Sequence, residues 1–388
     1  MYRIGQEEKD AVARVIDGKD FFKINNSYQE SMHAEEDLRR IFGVEKSIIM
    51  TSGHAALTAA LIGMGIGPGD EVIVPAYTYI ATAMAVVGAG AIPVIAEVDE
   101  TLTIDPVDVE RKISTHTKAI IPVHIQGFPC DMDAIMAVAN KHNIMVLEDA
   151  CQADGGSFHG KRLGTIGTAG ALSFNYYKVI SCGEGGALLT NDNLVYERAL
   201  IYHDSNAVLY FGSQLDNETC VPPFCGSEYR TNDITAAILR EQLKRMDGIL
   251  EDNRRIKNKM TEALSPYCTI VTSNDPEGDC ATTLAIRFDS EEETRAFAER
   301  VDLPNRIPAD TGKHIYKNWT AIMEKRGAFH PLMDPFKMEA NKDIVPDYTP
   351  DMCPKTLDYL ARTFYFDIHP DLTEEQVDEV IAKIRAAL

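Results

Sequence analysis

The sequence predicts an α/β fold, with a large, mostly parallel sheet covered by helices on both faces and a smaller α+β unit after it. Three observations lead there. Strand-like apolar runs alternate with helical runs from Ser47 to about Leu147, the pattern of strand-helix-strand units. One run ends directly in a carboxylate, Asp149, and open parallel sheets bind ligands at the carboxyl ends of their strands. Beyond about residue 250 the texture changes to charged helical runs around an apolar strand, so the expected division is 1–250 and 251–388.

The first unit opens with Ser47-Ile-Ile-Met50, a short strand that gives way to Thr51-Ser52-Gly53. The Ala-rich stretch after it reads as a helix until Gly65, Gly67, Pro68 and Gly69 stop it. Glu71–Pro75 is the next strand, and a helical run starts at about Ala81. Strands follow at 93–98, 118–124 and 144–147, with the segment 105–114 and a helix over 131–142 between them. Residues 171–174 form a short strand before a loop in which Gly183, Gly185 and Gly186 let the chain turn sharply. In the second unit a charged helical run around 240–259 leads to a strand at 282–288. Ser290-Glu-Glu-Glu293 and Thr373-Glu-Glu-Gln376 read as capping boxes that open two helices. The proline-rich stretch 302–370 has no assignable period and reads as loops on the substrate side; His330 and His369, each beside a proline, read as structural.

Chemistry concentrates at three junctions. Lys178 lies between the 171–174 strand and the glycine-rich loop, and an amine in a partly desolvated pocket can form a Schiff base with an aldehyde such as that of pyridoxal phosphate. The bland alternative is a solvated lysine near a hairpin. Asp149 is placed to hold a pyridine nitrogen protonated, or to cap the segment after it; Gln152 reads as a donor to the ring oxygen or as an exposed glutamine. At the strand-Gly53-helix junction, free N–H groups and the helix dipole attract phosphate, with the Ser173 hydroxyl as a further donor, or the junction is simply a capped helix.

With 388 residues, a chain of roughly two or three structural units can bury about three quarters of its unfolded surface. The apolar share of 45% and charged share of 25% are ordinary for globular proteins, so disorder is not expected. A net charge of -21 argues against nucleic-acid or anionic-membrane surfaces and favours small-molecule partners. The eight cysteines, at 130, 151, 182, 220, 225, 268, 280 and 353, form no C-x-x-C pair, so they read as reduced packing residues and no metal site is expected. No signal-peptide core or run of about 18 apolar residues occurs, and a cytoplasmic location is expected.

Taken in order, Thr51-Ser-Gly-His-Ala-Ala-Leu57, Gly67-Pro-Gly-Asp-Glu-Val-Ile-Val-Pro-Ala-Tyr-Thr-Tyr79, Glu148-Asp-Ala-Cys-Gln152, Ser173-Phe174 with Lys178, and Gly183-Glu-Gly-Gly186 resemble the DegT/DnrJ/EryC1/StrS aminotransferase family. The resemblance extends through Tyr229–Leu243 to the ending Asp371-Leu-Thr-Glu-Glu-Gln-Val377 and covers nearly the whole chain. It implies a fold-type I pyridoxal-phosphate enzyme, a homodimer with sites built from both chains, that aminates a keto-sugar or keto-cyclitol at the expense of glutamate or glutamine. On this reading Lys178 carries the cofactor and acts as general base and acid, Asp149 pairs with the ring nitrogen and Gln152 with the ring oxygen. Ser173, Gly53 and His54 hold the phosphate, the last two through backbone N–H, and Tyr79 stacks on the ring, with Tyr77 as the competing choice.

The sequence departs from the family at several positions. His54 stands where the family usually has Thr, Glu228 where it has an Asn directed at the neighbouring subunit's phosphate, and Asn175 where it often has His or Gln. A carboxylate beside phosphate is repulsive unless a cation intervenes, and Arg230 reads as that cation, a substrate ligand or a structural ion-pair residue. A pyridoxal-dependent sugar dehydratase, which typically replaces the lysine with histidine, and a non-catalytic regulator are the alternative readings.

Overall fold

The computed structural model describes residues 2–24, 28–207, 221–304 and 306–388. Helices α1 (Gln6–Gly18) and α2 (Glu30–Phe42) precede the first strand, β1 (Lys46–Met50). The chain then runs α3 (Gly53–Gly63), β2 (Glu71–Pro75), α4 (Ala81–Gly88), β3 (Ile92–Ala96), α5 (Pro106–Lys112), β4 (Thr117–Ile120), α6 (Met132–His142) and β5 (Met145–Asp149). A small hairpin of β6 (Ser157–Phe158) and β7 (Lys161–Arg162) follows, then β8 (Ala169–Ser173), β9 (Gly186–Thr190) and α7 (Asn193–His203). A seven-stranded sheet results, in the order β1-β9-β8-β5-β4-β2-β3. Its pairings are parallel except those of β9, which runs against both β8 and β1. The α/β expectation holds.

After this sheet come α8 (Asp233–Leu264), β10 (Thr269–Ile270), β11 (Thr283–Arg287), α9 (Glu291–Arg300), α10 (Thr320–Met323), α11 (Pro354–Ala361), β12 (Thr363–Asp367) and α12 (Glu374–Ala387). Strands β10, β11 and β12 form a second, antiparallel sheet. The long α8 belongs to two cores. Its residues Ala236 to Leu250 pack on one face of the large sheet with Leu38, Ile135 and Phe174, whereas Ile256, Met260 and Leu264 pack with Phe297, Phe364 and Ile384. The other face of the large sheet carries α3, α4 and α7, and Ile315, Trp319 and Tyr365 from the C-terminal region close over it.

Several elements differ in extent from expectation for physical reasons. Strand β4 ends at Ile120, before Pro122, which has no N–H to give a ladder. At Thr373 both halves of the capping box form, but at Ser290 only the hydroxyl does its part, since the Glu293 carboxylate accepts from Asp289 N–H instead. Within 302–370 the chain forms short 3₁₀ turns, among them Pro308–Asp310, Tyr316–Asn318 and Pro331–Met333, which carry no helical period long enough to see in a sequence. Among the described residues no helix is long and apolar enough to cross a membrane. The seven described cysteines are free, and Cys220 lies outside the described residues.

Candidate active site

The strand ends converge by close packing. Ser52 caps α3, its hydroxyl accepting from Ala55 N–H at 3.1 Å. A Cβ at Gly53 would lie 2.7 Å from Cys151 Sγ and 2.8 Å from Ser173 Cβ, so only glycine lets the start of α3 settle against the ends of β5 and β8. The same holds across from it, where a Cβ on Gly186 would sit 2.3 Å from the Ser52 carbonyl carbon. The buried Ser173 side chain therefore stands beside the N-terminus of α3, where orphan N–H groups favour an anion. His54 occupies the first turn with its ring exposed and Nδ1 3.3 Å from the Ala81 carbonyl oxygen.

Asp149, the last residue of β5, is 4% exposed. Its Oδ2 accepts from the Thr82 hydroxyl at 2.7 Å and its Oδ1 from Cys151 N–H at 3.1 Å. The local bond to Cys151 satisfies part of the capping role, and the bond to Thr82 fixes the orientation of the carboxylate from the neighbouring α4. Gln152 is pinned by its Oε1, which accepts from Gln126 N–H at 3.2 Å. The adjacent Glu148 is fully buried and accepts from the N–H groups of Gly164, Ile166 and Gly167 and pairs with His124 Nε2, which locks the end of β5 to the segment before β8.

Lys178 is half-buried in the turn after β8, its N–H donating to the Asn175 carbonyl at 3.0 Å. Asn175 in turn donates from Nδ2 to Glu184 Oε1 at 2.9 Å, tying this turn to the glycine-rich loop. The Lys178 charge reaches the groups around the pocket. Burial first, and then the charges of Lys313, Arg306 and Lys178, hold His314 down at about 4. Burial and the Asp149 charge raise the Cys151 thiol well above its usual range, and Lys178 opposes them.

Of the two tyrosines after β2, Tyr77 is 1% exposed and packed in the core, whereas Tyr79 is 42% exposed. The Tyr79 ring lies 5.7 Å from that of His314, with Lys313 Nζ 5.4 Å from its centroid. Sequence reasoning missed His314, Lys313 and Arg306, because nothing in the aperiodic 302–370 stretch ties them to Tyr79. Glu228 forms an ion pair with Arg230 at 2.9 Å, and Arg230 also donates to the Asp204 carbonyl at 2.6 Å, so within one chain Arg230 takes the ion-pair role.

This donor set fits pyridoxal phosphate. A glycine cradle with a serine hydroxyl at a helix N-terminus suits a phosphate, an oriented buried carboxylate suits a ring nitrogen, and Lys178 supplies the amine. Residues 2–310 match the DegT/DnrJ/EryC1/StrS aminotransferase family. The chain is 33% identical over 399 residues to GDP-perosamine synthase of Caulobacter vibrioides, spanning 100% of this chain and 96% of that protein. It is 31% identical over 358 residues to spore coat polysaccharide biosynthesis protein SpsC of Bacillus subtilis, spanning 90% and 87% of the two chains. The solved aminotransferase from Psychrobacter cryohalolentis shares the fold with a TM-score of 0.79 at 27% identity, over 100% of this chain and 98% of that one.

Proposed function

The chain belongs to the DegT/DnrJ/EryC1/StrS aminotransferase family, and we propose that it moves the amino group of glutamate or glutamine to the ketone of a nucleotide-linked sugar. That it is a pyridoxal-phosphate-dependent sugar aminotransferase follows from the family and its relatives. One observation supports the assignment of residues, the packing of Gly53 onto Ser173 and Cys151, which sets the start of α3 beside the ends of β5 and β8. When bound, the cofactor supplies an electron sink for charge developing at the substrate carbon.

The chain's own groups do the rest. Ser173 Oγ and the N–H groups of Gly53 and His54 hold the phosphate, and Tyr79, open at the rim, covers a ring face. Asp149, oriented by Thr82, faces the ring nitrogen, and Gln152, oriented by Gln126, faces the ring oxygen. Lys178 takes and returns the proton at the substrate carbon through its Nζ. Retention of this lysine favours aminotransfer over sugar dehydration. The name of the GDP-perosamine synthase relative favours a nucleotide-linked acceptor over a free keto-cyclitol. Glu228 and Arg230 are assigned to the neighbouring subunit's site in a homodimer, and the protein to the cytoplasm.

The test is optical. Purified protein should be yellow, should bleach on addition of glutamate or glutamine, and should lose its colour in Lys178→Ala. Failure of the wild type to take up pyridoxal phosphate would refute the assignment, and colour that no donor bleaches would refute the aminotransfer reading.

A further inference from the structure

The turn Ile125–Gly127, between β4 and α6, ties the two sheets together at one residue. Gln126 N–H donates to Gln152 Oε1 at 3.2 Å, and the Gln126 carbonyl accepts from the Thr282 hydroxyl at 2.7 Å. Its side-chain Oε1 accepts from the Thr283 hydroxyl and from Arg306 Nη2, both at 3.2 Å. Thr283 is the first residue of β11, and Arg306 pairs through its backbone with Tyr365 of β12, so everything that grips Gln126 from this side belongs to the antiparallel sheet or its flank. The backbone is left-handed here, with φ 55° and ψ 22° at Gln126 and φ 82° at Gly127. A residue with a side chain is disfavoured in that region and persists where its surroundings over-determine it, most often beside a ligand. The next residue is wedged as well: a Cβ on Gly127 would lie 2.6 Å from Cys280 Cβ, and Cys280 N–H donates to the Gly127 carbonyl at 3.1 Å.

Resting on the assignment of Gln152 to the ring oxygen, we propose that Gln126 is a positioning residue through which Thr282, Thr283 and Arg306 fix which end of the Gln152 carboxamide faces the cofactor. An amide carries an acceptor at one end and two donors at the other, in nearly the same shape. Gln126 N–H occupies the acceptor end, and Gln152 Nε2 has no partner among the described residues. The donor end is thereby left for the ring oxygen, which needs a donor. A flipped amide would set two acceptors against each other there and two donors against each other at Gln126. The side chain of Gln126 takes no part in the bond to Gln152; it holds the left-handed backbone that aims the N–H. Arg306 is firm enough to serve as an anchor, since it is paired with Asp367 and its guanidinium lies 5.2 Å from the Tyr365 ring centroid. Residues that never touch the cofactor thus set the donor that does.

The experiment reads the bound cofactor rather than turnover. Pyridoxal 5'-phosphate is titrated into cofactor-free wild type, Gln126→Ala, Gln126→Glu and Thr282→Val, and both the affinity and the position of the visible absorption band are measured. Gln126→Ala removes the acceptor that Thr283 and Arg306 hold, and Thr282→Val removes the hydroxyl on the Gln126 carbonyl. Each should weaken binding about five- to tenfold, the loss of one hydrogen bond, and shift the band because the ring oxygen loses its fixed donor. Gln126→Glu keeps an acceptor for Thr283 and Arg306 and should bind within about twofold of wild type. Melting of the cofactor-free forms separates packing from positioning. A merely structural role would lower the melting temperature and leave band and affinity at their wild-type values. That result, a Gln126→Glu as weak as Gln126→Ala, or failure of both Gln126→Ala and Thr282→Val to fold would overturn the positioning role; if only one of these two folds, it decides. A wild type that takes up no pyridoxal phosphate would instead remove the assignment of Gln152, and this role with it.

Discussion

At the scale of single residues, the site depends on contacts too close for substitution. Gly53→Ala places a methyl where Cys151 Sγ and Ser173 Cβ already stand, 2.7 and 2.8 Å away. Overpacking of this kind typically costs about 1–3 kcal/mol, and here the strain falls on the serine that faces the phosphate. We expect Gly53→Ala to lower the denaturation midpoint and to weaken uptake of pyridoxal phosphate together, whereas Gly248→Ala, in α8 where an added Cβ meets nothing, should leave uptake unchanged. His314 makes a prediction about acid. Held down at about 4 against an ordinary 6.5, it stays neutral in the folded chain while the unfolded chain takes a proton. Stability is therefore full above about pH 6.5 and falls between pH 6.5 and 4, by up to roughly 3 kcal/mol for this residue. His203, buried and lowered further, pushes in the same direction. A His314→Asn variant should show a shallower loss of stability over that window in urea titrations at stepped pH; an unchanged slope would rule His314 out as a contributor.

At the scale of elements, what the sequence revealed depended on period and punctuation. Ser47-Ile-Ile-Met50 running into Gly53 and an Ala-rich stretch could be read as strand, turn and helix because each carries a residue-level cause. Ser173, Asp149 and Gln152 could be placed because they lie at or just past the ends of apolar strands. The partners of these groups were not legible. Thr82, which orients Asp149, is an ordinary residue of an apolar helix, and Lys313 and His314 sit among 3₁₀ turns that have no period. Tyr77 and Tyr79 have equal claims as sequence, and only packing separates the buried ring from the exposed one. The caps test the element scale directly. Ser52→Ala removes the hydroxyl that accepts from Ala55 N–H at the site, and Thr373→Ala removes half of a complete capping box at α12, far from it. Each should cost about 1 kcal/mol of stability. Only the first should also reduce affinity for pyridoxal phosphate, measured by absorption titration, because only α3 points its N-terminus at Ser173.

At the scale of the whole molecule, α8 sets how the chain divides. A boundary near residue 250 is proposed because the helix changes partners there: Met246 and Leu250 pack with the large sheet, and Ile256 and Met260 with the core of β11, β12, α9 and α12. The division is not one of surfaces, since Ile315, Trp319 and Tyr365 return from the C-terminal region to cover the large sheet. An opening of the second core therefore loosens β12 and with it Arg306, whose backbone pairs with Tyr365, while Lys313 and His314 stay hydrogen-bonded to Ile80 and Thr78 and the phosphate cradle at Gly53 and Ser173 stays closed. Met260→Ala should cost about 2–5 kcal/mol in the second core. Its hydrogen exchange should accelerate in 283–301 and 363–387, with β2, β4 and β5 keeping wild-type protection. Such a variant should still capture pyridoxal phosphate but bind substrate more weakly, because what is lost lies at the rim and not beneath the ring. Uniform acceleration across both sheets would show that α8 couples them into one cooperative unit, and the proposed boundary would then have no energetic meaning.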